Sequence, residues 1–256
     1  MVAERIELKS MMNTRDLGSL VNAEGRKVKS GKLIRSGELA RSDREDLKKL
    51  YEQYHVRQVI DLRGEDERLE RPDRLYRDMI NISLTAMPER AAGVSRDRKF
   101  EEEMRQLALD GSNGQAQAAR IRMRNFYRVM VSHEFSLSQY HRFIEYLLAN
   151  KDHASLWHCA VGKDRAGMAA FNVELLLGVS IEDIKADYLY TNECYFPGLK
   201  PQERVFDYYN FAFAEYLQEA LTTIEETFGT MENYIRKGLK ISEEMQKEFC
   251  RAFLEE

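Results

Sequence analysis

Short apolar runs alternate along this chain with longer stretches in which apolar residues recur every three or four positions, a pattern that predicts strands joined by helices. Val56 to Leu62 reads as a β-branched strand, Ala154-Ser155-Leu156-Trp157-His158 as a short buried one, and Met79 to Leu84 as a further strand. Ser42-Asp43-Arg44-Glu45 has the form of a capping box opening a helix to about Tyr54, and Ser136-Leu137-Ser138-Gln139 caps another that runs to Leu148. Helices are also expected over Gln115 to Ser132, over Met168 to Leu177 with Gly178 closing it, from Ser180-Ile181-Glu182-Asp183 onward, and over most of Glu203 to Phe253. Pro88 to Gly114 is polar, charged and weakly periodic, so a lid or insertion is expected within residues 88–135.

Strands joined by helices imply an α/β fold with a mainly parallel sheet covered on both faces and its site at the carboxyl ends of the strands. No stretch reads as a linker, and 256 residues with 43% hydrophobic content can bury one sizeable core, so residues 1–256 are expected to form a single domain. With 39 basic against 43 acidic residues the net charge is mildly negative and gives no ground for general nucleic-acid affinity. Three cysteines, an odd number in a chain this long, point to a reducing compartment. The first residues, Met1 to Glu7, contain no apolar stretch suited to a signal peptide or membrane span. The expected location is the cytoplasm, with secretion by a signal-less route left open.

The chemistry concentrates in His158-Cys159-Ala160-Val161-Gly162-Lys163-Asp164-Arg165-Ala166-Gly167, between the Ala154 strand and the Met168 helix. A cysteine attacks as thiolate, and an ordinary thiol titrates near pH ~8.5, so a working nucleophile needs a positive setting. A helix N-terminus, Lys163 and Arg165 supply one. Gly162 allows a tight loop whose backbone amides converge on an anion, and Arg165 adds a planar fork matched to two phosphate oxygens. A basic pair at a helix N-terminus opposes the macrodipole, so stability alone does not account for it. Cys194 and Cys250 read instead as small buried apolar residues.

The string resembles the active-site signature of cysteine-based protein tyrosine phosphatases. Its Cys-x-x-Gly-Lys-Asp-Arg form resembles the bacterial and fungal subgroup of tyrosine and lipid phosphatases related to the mycobacterial and Listeria secreted enzymes. Asn13-Thr14-Arg15-Asp16-Leu17-Gly18 matches the subgroup's N-terminal motif, Leu33-Ile34-Arg35-Ser36-Gly37 its next strand, and Val59-Ile60-Asp61-Leu62-Arg63 its central strand and following loop. The resemblance implies the three-layer fold of that family and a two-step reaction. Cys159 attacks phosphorus, and water then hydrolyses the cysteinyl phosphate.

By the same resemblance Ala160, Val161, Gly162, Lys163, Ala166 and Gly167 belong to the phosphate-binding loop, with Arg165 holding the equatorial oxygens. His158 fixes the loop and helps keep the thiol ionised, while Arg15, Asp16 and Arg63 support it. No metal or other cofactor is required. The general acid is Asp164, inside the loop, or Asp61, whose other reading is to hold Arg63 or the loop in place. Lys163 resembles the lysine of phosphatases that also hydrolyse phosphoinositides, so the expected partners are phosphorylated proteins or phosphoinositides. Ala166 stands where the subgroup usually carries a hydroxyl that stabilises the departing thiolate, which implies slow breakdown of the intermediate. Ser19 is a smaller departure, in place of glycine.

Other readings stay open at this point. A phosphate-binding module with poor turnover fits Ala166, and a rhodanese-like sulfurtransferase fits a loop cysteine, though Gly-Lys-Asp-Arg suits phosphate better. Arg120, Arg124 and Arg128 recur every four residues and form either a solvated face or a surface for anionic membranes or phosphorylated partners, the first being favoured. Tyr188, Tyr190 and Tyr195 are read as an aromatic rim or as core.

Overall fold

The computed structural model describes residues 1–88, 98–110 and 113–256. Six strands form one sheet: β1 (Glu4–Arg5), β2 (Arg15–Asp16), β3 (Leu33–Ser36), β4 (Val56–Asp61), β5 (Ile80–Ser83) and β6 (Ala154–His158). Their spatial order is β1-β2-β3-β6-β4-β5, with β3, β6, β4 and β5 parallel and β1 and β2 added antiparallel at one edge. The helices are α1 (Arg44–Glu52), α2 (Glu65–Glu70), α3 (Arg98–Leu109), α4 (Gly114–Ser132), α5 (Glu134–Ala149), α6 (Arg165–Leu176), α7 (Ile181–Tyr195), α8 (Asp207–Asn210), α9 (Ala214–Phe228), α10 (Met231–Asn233) and α11 (Glu243–Phe253). A single π-turn, Tyr234–Gly238, follows α10.

The pleat of the central strands divides the core in two. Leu33, Ile60 and Trp157 join a large cluster with α4, α5, α6, α9 and α11, whereas their neighbours Ile34, Val59 and Leu156 pack with Leu47 and Leu50 of α1 on the opposite face. This is the period of two expected of strands covered on both sides. Register then decides where the site lies, because Ser36 and Asp61 both pair with His158, aligning the carboxyl ends of β3, β4 and β6. α6 leaves that point and is buried nearly all round, as a helix at the centre of the layers must be.

Several expected boundaries shift, each for a local reason. The cap of α1 is Asp43, whose carboxylate accepts from Asp46 N, while the Ser42 hydroxyl turns away to donate to Leu39 O at 2.6 Å. α5 begins two residues before Ser136, at Glu134, capped by His133, and Ser136 lies inside it. α6 begins at Arg165, three residues earlier than the apolar spacing suggests, and Gly178 closes its end at φ +79° as expected. Ser180 caps α7 through Asp183 N.

Within the stretch read as a polar insertion, Arg98–Leu109 is helical and α4 packs Tyr127, Met130 and Val131 into the large core. Residues 89–97 and 111–112 of that stretch lie outside the described residues. Among the described residues no helix is long and apolar enough to cross a membrane.

The caps give a direct test. Asp43→Ala should lower the unfolding free energy by about 1 kcal/mol, the usual worth of an N-cap, measured by urea unfolding. Ser136→Ala should carry no such loss, because that buried hydroxyl has no hydrogen-bond partner among the described residues.

Candidate active site

The loop after β6 is shaped by what its carbonyls do. Cys159 O faces His158 Nδ1 at 3.0 Å, Ala160 O accepts from Glu38 N at 3.1 Å, Val161 O from Asn13 Nδ2 at 3.3 Å, and Gly162 O from Arg35 Nη2 at 3.0 Å. A peptide's C=O and N–H point in opposite directions, so tying four successive carbonyls to the surrounding protein turns the amides toward the centre of the loop. Gly162 sits at φ +70°, and a Cβ there would lie 2.5 Å from Ser36 O, so the loop and β3 approach as closely as only glycine permits.

The start of α6 is fixed from behind. Trp157 Nε1 donates to Ala166 O at 3.0 Å and Tyr140 OH to Arg165 O at 3.2 Å. Cys159 is buried at the base of the loop. The Arg165 guanidinium is held by Glu67 of α2, both terminal nitrogens donating to its two carboxylate oxygens, 2.9 Å at Nη2. Burial would weaken the protonation of Arg165, and the Glu67 bond and the charges at Cys159 and Asp164 more than restore it.

The two acid candidates sit in different surroundings. Asp164 Oδ1 accepts from Lys163 Nζ at 2.6 Å and from Tyr127 OH at 2.7 Å, and Tyr127 OH lies 2.8 Å from Tyr188 OH. Asp61 is spent on Arg63, which donates to it from its backbone N, Nε and Nη2. Burial pushes the Asp61 carboxyl up, but the Arg63 bonds and the His158 charge hold it below the ordinary range. Of its two readings, holding Arg63 is the one the geometry displays.

Other residues named from sequence fall into place beside these. Arg15 lies in the core under the loop, paired with Asp187 at 2.9 Å and bonded to Thr191, and Asp16 caps the turn at Leu17–Ser19 through Gly18 N. Lys163 is 1% exposed, its ammonium 5.7 Å from the Tyr216 ring, so its charge points inward to Asp164. The arginine stripe of α4 is a zipper against α9, with Arg120 on Glu215 and Arg124 and Arg128 on Glu219. Tyr188 is buried, Tyr190 faces Arg15, and Tyr195 packs on Phe196.

The residues missed from sequence are mostly partners. Arg35 links Asp187 to Gly162 O, Glu67 holds Arg165, and Asp73 joins Arg63 to His158. The one available signal was a charge inside an apolar strand, Arg35 between Ile34 and Ser36. Asp61, Asp73 and His158 present ligand atoms within 4.8 Å of one another, but Arg63 Nη2 donates to both carboxylates at 2.7 and 2.9 Å and serves as their cation.

The sequence matches the model of the tyrosine phosphatase family over residues 6–255. The chain belongs to that family. It is 30% identical over 264 residues to the triple specificity protein phosphatase PtpB of Mycobacterium tuberculosis, covering 90% of this chain and 92% of the relative. It is 27% identical over 245 residues to a Cupriavidus necator protein named "putative tyrosine-protein phosphatase", covering 91% and 83%.

In this phosphatase Asp187 carries two buried arginines at once, Arg15 and Arg35. Burial raises its pKa and the two guanidinium charges outweigh that, leaving it lowered. A lowered carboxyl contributes stability above its unfolded pKa of about 3.9, lost as pH falls through the folded value. Asp187→Asn strands two buried charges and should cost about 3–5 kcal/mol at neutral pH by urea unfolding, with a shallower loss toward acid than the parent. Gly162→Ala should leave the protein folded and lower phosphatase turnover by roughly two orders of magnitude, since the displaced amides no longer converge.

Proposed function

We propose that the protein hydrolyses phosphotyrosine in proteins by covalent catalysis at Cys159. The observation that carries this is the loop itself, four outward carbonyls around a buried thiol with a carboxylate-held arginine at its end. The phosphate takes its equatorial oxygens to the loop amides from Ala160 to Arg165 and to the Arg165 guanidinium, so charge is stabilised by donors already in place. Cys159 Sγ forms a bond to phosphorus as the bond to the tyrosine oxygen breaks, and the leaving oxygen takes a proton from Asp164. Water then attacks phosphorus, gives its proton to Asp164, and the sulfur leaves as thiolate.

Asp164 suits this role by position. Both its donors fall on Oδ1, so Oδ2 is the oxygen turned to the proton transfer. A wider range that includes phosphoserine and phosphothreonine is supported by the mycobacterial relative's description as a triple specificity protein phosphatase. Phosphoinositides are the weaker extension, since Lys163 must leave Asp164 to meet a second phosphate. The slow-turnover reading has one observation in its favour, the fully buried Ala166. We take residues 1–256 as one catalytic domain, and three free cysteines support a reducing, cytoplasmic setting.

Phosphate release should be followed from phosphotyrosine, phosphoserine and phosphothreonine peptides and from phosphoinositide vesicles. Cys159→Ser should abolish all of it, and surviving activity would sink the mechanism. Asp164→Ala should slow poor leaving groups by roughly 10²-fold or more and good ones far less; equal losses would move the acid to Asp61. Stopped-flow traces should show an initial burst before a slower steady state, because without a hydroxyl at Ala166 the second step limits.

A further inference from the structure

Asp164 occupies the N-cap position of α6, where an aspartate ordinarily accepts from a backbone N–H of the first turn, yet its side chain makes no such bond. Its Oδ1 instead accepts from Lys163 Nζ at 2.6 Å and from the hydroxyl of Tyr127 at 2.7 Å. Lys163 is its neighbour in the chain, whereas Tyr127 comes from α4, 37 positions earlier. A carboxylate placed to cap its own helix is thus diverted to a phenol of another.

That phenol is itself held. Tyr127 is fully buried, its ring edge-to-face with Tyr188 of α7 at 6.0 Å between centroids and tilted against Tyr216 of α9 at 5.6 Å. Its hydroxyl lies 2.8 Å from that of Tyr188. A phenol has one proton to give and a carboxylate only accepts, so Tyr127 donates to Asp164 and Tyr188 donates in turn to Tyr127. Burial pushes both phenols well above the ordinary tyrosine value, so both are protonated donors at neutral pH.

The resulting chain runs in one direction, Tyr188 to Tyr127 to Asp164, and it survives protonation of the carboxyl. A proton on Oδ1 would face an ammonium 2.6 Å away, so the acid carries its proton on Oδ2. Oδ1 then keeps both partners whether the carboxyl is neutral or charged, and the negative charge left by proton transfer forms where donors already stand. The Asp164 side chain is 15% exposed and that of Lys163 1%, so the carboxyl is gripped from its buried side.

We propose that Tyr127, with Tyr188 behind it, is a positioning residue of the reaction: it fixes Asp164 by Oδ1 so that the proton on Oδ2 points to the leaving oxygen. The inference rests on Asp164 as the acid and Cys159 as the nucleophile, and it deepens that reading by naming what aims the acid. In the first step the O–H bond at Oδ2 breaks, the leaving oxygen takes the proton, and the electron pair stays on the carboxylate. The protons of Tyr127 and Tyr188 remain on their own oxygens throughout.

Tyr127→Phe removes one oxygen and is the test. A general acid is worth roughly 10²–10⁴ in rate, and one that is present but no longer aimed forfeits part of that. With phenyl phosphate, a poor leaving group, kcat/KM should fall roughly tenfold, and with p-nitrophenyl phosphate less than threefold. In an Asp164→Ala background the same substitution should add no further loss, because there is no acid left to aim. Competitive inhibition by inorganic phosphate, which reads the loop and Arg165 alone, should hold within twofold of the parent.

Equal losses on both substrates, a weakened phosphate inhibition, or a loss that persists in full without Asp164 would each overturn the proposal. Tyr188→Phe, one step further from the acid, should show the same preference for poor leaving groups at smaller size, and it carries the test if Tyr127→Phe does not fold. If Asp164→Ala showed no dependence on the leaving group, the acid assigned above would fail and this inference with it. If Asp164→Ala showed that dependence and both tyrosine variants did not, this inference alone would fail.

Discussion

An arginine taken out of water must be paired where it stands, and three such arginines determine the shape of this site. Arg15, Arg35 and Arg63 are each at most 1% exposed. Pairing a buried guanidinium repays its desolvation only with good geometry, so these contacts add conformational specificity more than net stability. Arg15 and Arg35 share Asp187 of α7, and Arg35 uses its other terminal nitrogen on Gly162 O. One carboxylate thus ties β2, β3 and α7 to the loop after β6. Glu174 is buried beside them, and burial together with the Asp187 charge raises its carboxyl well above the ordinary range.

The second set does the same from the other side of β6. Arg63 collects Asp61, Asp73 and Glu38, and Asp73 reaches His158 directly before Cys159. Because Ser36, Asp61 and His158 stand in register at the strand ends, both charge clusters converge on the loop between them. The parallel sheet is therefore more than a support. It brings residues from distant parts of the chain to one level, where their charges must cancel.

What could be read from the sequence follows from the range of each interaction. The strands around Val59 and Leu156, the loop with Cys159, Gly162 and Arg165, the cap at Ser180 and the stop at Gly178 are governed by neighbours a few residues away. Even there Ser42 and Asp43 are both competent caps, and only the Leu39 carbonyl that draws off the Ser42 hydroxyl decides between them. β1 and β2 have two residues each, too few to show a period. The partners of the site were hidden because nothing local marks them: Glu67 lies 98 positions from Arg165 and Asp187 lies 152 from Arg35. The stripe of Arg120, Arg124 and Arg128 shows the same limit, since its spacing reveals a face but not the glutamates of α9 that cover it.

Cations at the N-terminus of α6 now have a physical account. A lysine and an arginine there oppose the helix dipole, and each is accompanied by its own carboxylate, Lys163 by Asp164 and Arg165 by Glu67. The pairing does not disarm Arg165. A guanidinium carries five N–H donors, Glu67 engages one on each terminal nitrogen, and three remain for the phosphate oxygens of the proposed substrate. Glu67 orients the fork before substrate arrives, so the ordering cost of a long side chain is met in folding and not at binding. Lys163 acts differently, because its ammonium is buried against Tyr216 and its bond is to the acid. In the proposed mechanism its charge sits against the proton donor, whereas that of Arg165 meets the phosphate, and the two cations thereby serve opposite ends of the same bond-breaking step.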